Sequence, residues 1–328
     1  MRLALLLFAL SCCSAQTEAE KLIEAGHWKQ ARATLAANPR QYDDALTQFL
    51  QSQIRNAFGD HESPLPLAEK AVAIDPKVPK YHRQVAEALG VMAQHAGIFQ
   101  QLLLVRRFRH EIDAALALDP RDLQALRDLM EYYLLAPAIA GGDKSKARDT
   151  ADRIARIDPV QGYLAQARLA EAAGEPARQE DALRKAVEAG PASYRAHVAL
   201  ATCLVSHGNW DAARDQAELA RRIDDTRVDA YSVLATVYAH SGQVSALEGL
   251  LTAAEKKVPD DSSPYYRATE GLLAVGRDLG RAQQYLNRYL SIDPEGNAPT
   301  RADARGKLGE VLAKTKAISA MSANAGPR

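Results

Sequence analysis

The sequence predicts an all-α fold, a solenoid of stacked antiparallel helix pairs. Three observations carry this. A pattern of small, aromatic and turn residues recurs three times, 34 residues apart, between Val160 and Asp261. Each copy has a glycine near its middle and a helix breaker at its end. No copy can bury its apolar face alone, and stacking on neighbours is how units of this period are stabilised.

The copies begin at Val160, Tyr194 and Val228 and align without gaps, defining units 160–193, 194–227 and 228–261. Tyr163, His197 and Tyr231 share one offset. Ala167, Ala201 and Ala235 share the next, then Ala170, Leu204 and Tyr238, and the glycines Gly174, Gly208 and Gly242 follow at a turn. The second half of each unit repeats Leu183, Ala217 and Leu251, then Ala186, Ala220 and Ala254, and closes on Pro191, Asp225 and Pro259. Alanine on each helix lets two backbones approach, glycine supplies the turn, and proline stops the second helix. These alanines and glycines are therefore the repeat-packing residues. Together they closely resemble the tetratricopeptide repeat. The resemblance implies a right-handed superhelix of antiparallel helix pairs with a concave groove that binds protein or peptide segments.

The remaining elements follow from the N-terminus. Residues 1–15 read as an export signal: Met1-Arg2, an apolar run from Leu3 to Leu10, then Ser11-Cys12-Cys13-Ser14-Ala15. Small residues at Cys13 and Ala15 suit cleavage after Ala15, and the apolar run is too short to span a bilayer. This predicts an exported chain, periplasmic or extracellular, with no transmembrane helix after cleavage. The alternative is an outer-membrane lipoprotein anchored at Cys12 or Cys13. It fits less well, because Cys12 precedes Cys13 where Gly, Ala or Ser is usual, and Ala9 stands three before Cys12 where Leu is usual.

Residues 16–44 form a partial repeat around Gly26-His27-Trp28-Lys29-Gln30-Ala31, which recurs as Gly208-Asn209-Trp210-Asp211-Ala212-Ala213. Tryptophan here is expected to pack across the interhelix turn. Unit 45–78 has Gly59 at its turn, Ala71 on its second helix and Asp75-Pro76 at its end, and its second helix should begin near Leu65 or Pro66. Unit 79–120 is stretched, and the added length reads as helix from Ile98 to Leu118. Within it Arg106, Arg107 and Arg109 concentrate positive charge. They are a candidate patch for an acidic partner or anionic head group, set against the plain reading of a solvated face. Unit 121–159 has an altered turn from Leu135 to Asp143, with Asp143 as N-cap of a helix starting near Lys144. Residues 262–295 are a degenerate repeat. Residues 296–328 supply a polar capping helix, Ala302 to Lys314, and then a flexible tail.

Composition narrows the function classes. Lys plus Arg and Asp plus Glu both total 41, so no net charge draws the chain to nucleic acid. Cys203 is the only cysteine beyond residue 13, so no disulfide can form within the body of the chain and a packed thiol is expected.

Catalytic patterns fall short. His110-Glu111 and His61-Glu62 each lack the second histidine of a helical zinc site, with Ala114 and Leu65 in its place. Gly141-Gly142-Asp143-Lys144-Ser145 lacks the leading glycine and preceding strand of a phosphate loop, leaving only a nest of backbone amides that an anion would fit. His197 shares its slot with tyrosines and reads as a core residue. The expectation is no enzyme, no metal and no cofactor.

In the resembled family, groove residues lie on first helices beside the packing positions. Carried onto this sequence they are Leu164, Arg168 and Glu171, then Arg195, Val198, Thr202 and Ser206, then Asp229, Ser232, Thr236 and His240. Family members that clamp a C-terminal carboxylate use lysines and asparagines where Leu164, Arg168, Val198 and Thr202 stand, so that clamp is not expected here. The function read from the sequence is a non-catalytic protein-binding scaffold of the bacterial cell envelope. The alternatives are a small-ligand or solute-relay component beside a periplasmic transporter, or a lipid-anchored envelope assembly factor.

Overall fold

Several helices in this chain start where a side chain accepts the first free amides, and the turns within pairs reverse at glycine. Thr17 and Glu20 form a capping box ahead of the first helix. Asp43, Asp122, Asp143, Asp158 and Ser193 each accept amide hydrogen bonds from the turn that follows. At the turns inside the regular units, Gly174 (φ 69°) and Gly242 (φ 70°) take the left-handed conformation.

The computed structural model describes residues 16–38 and 40–324. Helices α1 (Glu18–Ala25) and α2 (Trp28–Ala37) form the first pair, then α3 (Asp44–Ala57) with α4 (Pro64–Ile74), and α5 (Pro79–His95) with α6 (Ile98–Leu118). These are followed by α7 (Leu123–Leu135) with α8 (Lys144–Ile157), and α9 (Pro159–Ala173) with α10 (Pro176–Ala189). The last pairs are α11 (Tyr194–Ser206) with α12 (Trp210–Ile223), α13 (Val228–His240) with α14 (Val244–Lys257), and α15 (Ser263–Val275) with α16 (Leu279–Leu290), closed by α17 (Arg301–Asn324). There is no strand among the described residues. The fold is an all-α solenoid of helix pairs. No helix among the described residues is long and apolar enough to cross a membrane. Residues 1–15, read from the sequence as an export signal and including Cys12 and Cys13, lie outside the described residues.

Packing follows the small residues. Ala186, Ala201, Ala220 and Ala235 are fully buried, and Ala167 and Ala254 nearly so. At Gly162 a β-carbon would stand 2.5 Å from the Cα of Ala155, so α8 and α9 cross with their backbones almost touching. Apolar clusters run from one pair into the next instead of converging on one centre. A recurring anchor ties three first helices, α5, α11 and α13, to the preceding breaker: His197 Nε2 to the Pro191 carbonyl, Tyr231 Oη to that of Asp225 and His82 Nε2 to that of Pro76, each at 3.0 Å. His197 is thus a core residue, also 2.8 Å from Gln216 through Nδ1. Cys203 is buried as a free thiol.

Two expectations need correction. The C-terminal tail is not irregular: α17 continues to Asn324, because residues 315–324 are rich in alanine and hold no glycine or proline to stop it. Ala304 and Val311 anchor the helix in the last apolar cluster, and from Leu312 to Ala320 its side chains are exposed. Trp28 does not serve its own turn alone. A β-carbon on Gly296 would come within 2.6 Å of the indole Cγ, so the Trp28 side chain lies directly against residue 296.

That contact belongs to a seam. The first helix pair meets the loop after α14 and the loop after α16, and the solenoid closes on itself. The Lys29 amide donates to Glu295 Oε1 at 2.9 Å, and the Asn297 amide to the Ala57 carbonyl at 2.7 Å. His27 Nδ1 and Gln30 Nε2 both reach Asp260 Oδ2, at 2.9 and 3.0 Å. Asn297 adopts a left-handed φ of 62°, a conformation asparagine tolerates better than most residues, which helps the loop present its amide across the seam.

Candidate functional site, the enclosed concave wall

Closure turns the groove into a partly enclosed cavity of about 680 Å³. Val198, Thr202 and Val205 of α11, Asp229, Ser232, Val233 and Thr236 of α13, and Arg267 and Glu270 of α15 form its floor. Ile23, Gly26 and Trp28 close one side, and residues 296–299 close the other. The wall mixes valine methyls with hydroxyls and charges. Arg267 pairs with Glu270 at 2.7 Å. Arg227 stacks over Tyr194 at 4.4 Å and lies 3.9 Å from Asp229. Tyr194 Oη accepts the Ala230 amide at 3.0 Å, fixing the start of α13.

Arg195 has no ion-pair partner among the described residues. It is exposed and does not itself line the cavity. The surrounding protein, and then the charge of Arg227, hold its guanidinium below the ordinary arginine range. Two cations side by side without a carboxylate for one of them favour an anionic group from elsewhere.

The other residues assigned to the groove have different surroundings. Leu164 packs against the apolar cluster of α9 to α12. Arg168 forks onto Glu131 of the preceding unit at 2.8 and 3.0 Å and reaches Glu171 at 3.4 Å, so these three join units together. Ser206 Oγ donates to the Cys203 carbonyl at 2.7 Å. His240 lies outside the groove: its ring stacks on Trp210 with centroids 3.6 Å apart, because the last turn of α13 passes over the start of α12.

The basic segment of α6 is mostly neutralised within the chain. Arg107 pairs with Glu69, and Arg109 pairs with Asp113 at 2.9 Å while lying over Tyr133 at 4.8 Å. Arg106 alone of the three has no ion-pair partner among the described residues. The Gly141-Gly142 nest is also spent, since both amides bond to the carbonyls of Ala138 and Pro137 at 3.0 and 3.1 Å. Among the described residues no group of three or more His, Cys, Asp or Glu is placed to hold a metal ion.

Sequence reasoning missed the acidic half of the wall. Glu87 of α5 accepts from Asn56 at 2.9 Å, and Asp128 of α7 accepts from Gln124 at 2.9 Å. Loss of solvation by the surrounding protein pushes both carboxyls up, that of Asp128 to about 7, against the amide hydrogen bonds and the pull of Arg83, although Glu87 stays exposed. Glu87 could have been found, because it stands as far after Pro79 as Arg168 stands after Val160.

No family model matches the sequence, and no curated protein matches it. Solved structures do. Yeast Tom70 superimposes with a TM-score of 0.51 at 14% identity, over 94% of this chain and 77% of that one. A tetratricopeptide repeat protein from Parabacteroides merdae gives 0.45 at 14%, over 82% and 99%. YrrB, described as a TPR protein with an unusual peptide-binding site, gives 0.36 at 18%, over 61% and 96%. The Tom70 superposition matches the helix-pair architecture described above: the chain has the tetratricopeptide-repeat fold.

Proposed function

We propose that this tetratricopeptide-type solenoid is a non-catalytic adaptor that holds an extended segment of a partner protein in the cavity beside the seam, and that it works in the bacterial cell envelope. The observation that carries the reading is a contrast along the concave wall. From α3 to α9 its polar side chains are tied to one another across units: Asn56 to Glu87, Arg83 to Asp122 at 2.8 Å, Arg127 to Gln161 at 3.1 Å, and Arg168 to Glu131. Over α11 and α13, Thr202 and Ser232 have no such tie among the described residues, and the cavity opens there. A partner backbone finds hydroxyl donors at these positions, its apolar side chains find Val198, Val205 and Val233, and an acidic side chain finds Arg227, with exposed Arg195 near it. Envelope location rests on Arg2 and the apolar run from Leu3 to Leu10.

The test is a photo-reactive residue placed at Thr202 or Ser232, with exposed Arg184 on the opposite surface as control, in cells that make the protein naturally. Discrete protein adducts from the inner positions, absent from Arg184 and weakened by Arg195→Glu, are expected. Adducts from Arg184 alone, or none from inside, would overturn the adaptor reading. The isolated chain should begin at Gln16 and fractionate outside the cytoplasm. A cytoplasmic chain that keeps Met1 would refute export.

A further inference from the structure

Two buried carboxylate oxygens at the seam lack any hydrogen-bond partner: Asp260 Oδ1 and Glu295 Oε2. The other oxygen of each is engaged. Asp260 Oδ2 takes His27 and Gln30, and Glu295 Oε1 takes the amides of Lys29 and Gly296, the latter at 2.8 Å. The two carboxyls lie close enough to act on one another's ionisation, both being held against the turn that carries His27 and Lys29. Two anionic oxygens buried beside one another repel. One proton between them, on Glu295 Oε2 and donated to Asp260 Oδ1, satisfies both.

We propose that the seam is a proton-held latch: a proton shared by Asp260 and Glu295, together with a protonated His27, keeps the ring shut, and loss of these protons as pH rises opens the cavity to a partner segment. The seam is the place where this matters. Every other junction of the solenoid joins sequence neighbours, whereas this one joins α2 to loops more than 200 residues away and is not tethered by a short connection. The cavity walls on the two sides of the seam, Trp28 and residues 296–299, would separate with it.

The charges facing the pair come from four elements. From α2, Lys29 Nζ donates to the carbonyls of Asp260 and Asp293, and Arg32 lies near Asp293. The loop after α14 adds Asp261, itself held protonated more readily by burial and by Asp260. The loop after α16 adds Asp293, which pairs with Arg301 of α17 at 2.6 Å. The Thr226 carbonyl, ahead of α13, faces His27.

The sign is consistent. The hydrogen bond to Asp260 raises His27, and burial, then Asp260, pushes Glu295 up to about 7. Both contributions are full below the ordinary values of these groups and are lost as pH rises through the raised ones. Burial opposes ionisation of Asp260, but His27 outweighs it and holds the carboxyl below its ordinary value, so this contribution is lost only in acid. The latch is therefore tightest in mildly acidic solution and loosens above neutrality.

Hydrogen exchange on the full chain, corrected for intrinsic rates at each pH, reads the latch without any ligand, so its result is independent of the adaptor reading. Protection of the Lys29 and Asn297 amides should fall at least about tenfold between pH 6 and 8.5, while amides of α11 hold theirs. Glu295→Gln keeps one acceptor and supplies a permanent donor to Asp260, and it should lose most of that fall. Should that variant not fold, His27→Gln gives the second reading, with weaker protection already at pH 6. Constant seam protection in the parent chain, or the parent profile retained in a folded Glu295→Gln, would overturn the proposal.

Discussion

Replacing Gly296 by alanine asks whether the seam exists in solution, with one methyl group and no change of charge. The added β-carbon would stand 2.6 Å from Trp28 Cγ and 2.8 Å from its Cβ and Cδ1. Ordinary carbon contacts begin near 3.5 Å, so the indole and the loop must part by about 1 Å. Three hydrogen bonds lie too close to escape that shift: Lys29 N to Glu295 at 2.9 Å, Gly296 N to Glu295 at 2.8 Å and Asn297 N to Ala57 at 2.7 Å. The indole is held by its own cluster of α1 to α5 residues and cannot simply swing aside. Overpacking of this kind costs about 1–3 kcal/mol, and such a change in an opening equilibrium is roughly 5- to 150-fold. Because the seam is not part of the ladder of stacked units, that cost falls on closure and not on global unfolding. Exchange of the Lys29 and Asn297 amides should accelerate by that factor, with α7 and α11 amides unchanged. Equal exchange in parent and variant would mean that the seam is open in solution, and the enclosed cavity would go with it.

Two further outcomes follow from the interior. The anchor shared by His197 and Tyr231 predicts that His197→Tyr costs less than about 1.5 kcal/mol, since a hydroxyl can replace Nε2 at the Pro191 carbonyl, whereas His197→Ala, which orphans that carbonyl and Gln216, costs about 1–3 kcal/mol; urea midpoints of the two variants would show it, and equal losses would refute the equivalence. Burial holds the Asp128 carboxyl up at about 7, so its contribution to stability is present below its ordinary value near 3.8 and is lost as pH rises through about 7. Asp128→Asn should therefore flatten the decline in urea midpoint between pH 5 and pH 8, and parallel declines in parent and variant would contradict the assignment.

What the sequence made legible was the unit, because local chemistry writes it repeatedly. Alanine at a helix crossing, glycine at a left-handed turn and aspartate at an N-cap each act within a few residues, so periodicity exposes them. Asp143 shows this well: it stands before Lys144 and accepts the amides of Ser145 and Lys146 at 2.9 and 3.2 Å. Part of the site followed from the same offsets, since Val198, Thr202, Asp229, Ser232 and Thr236 all line the cavity. What failed to show was anything set by accumulated rotation along the stack. Arg168 lies at the same offset as Thr202, yet the preceding unit places Glu131 opposite it and turns a groove residue into a strut. His240 was lost to Trp210 for a similar reason, through a contact between units.

The seam is the extreme case, and it explains why the two near-identical turns around Trp28 and Trp210 have different roles. Both begin a second helix after a glycine turn, and both pack an indole partly against an apolar cluster. Trp210 meets His240 of the next unit, as stacking requires. Trp28 meets residue 296 because, after eight pairs, the stack has turned far enough to bring its own end within reach. The sequence around each tryptophan carries the capacity to stack, but the partner is decided by how many units intervene. Insertion or deletion of one whole unit between α3 and α14 would preserve every local junction and still separate His27 from Asp260. The seam is therefore a property of repeat number, and any function that depends on it constrains the length of the array more tightly than the fold itself does.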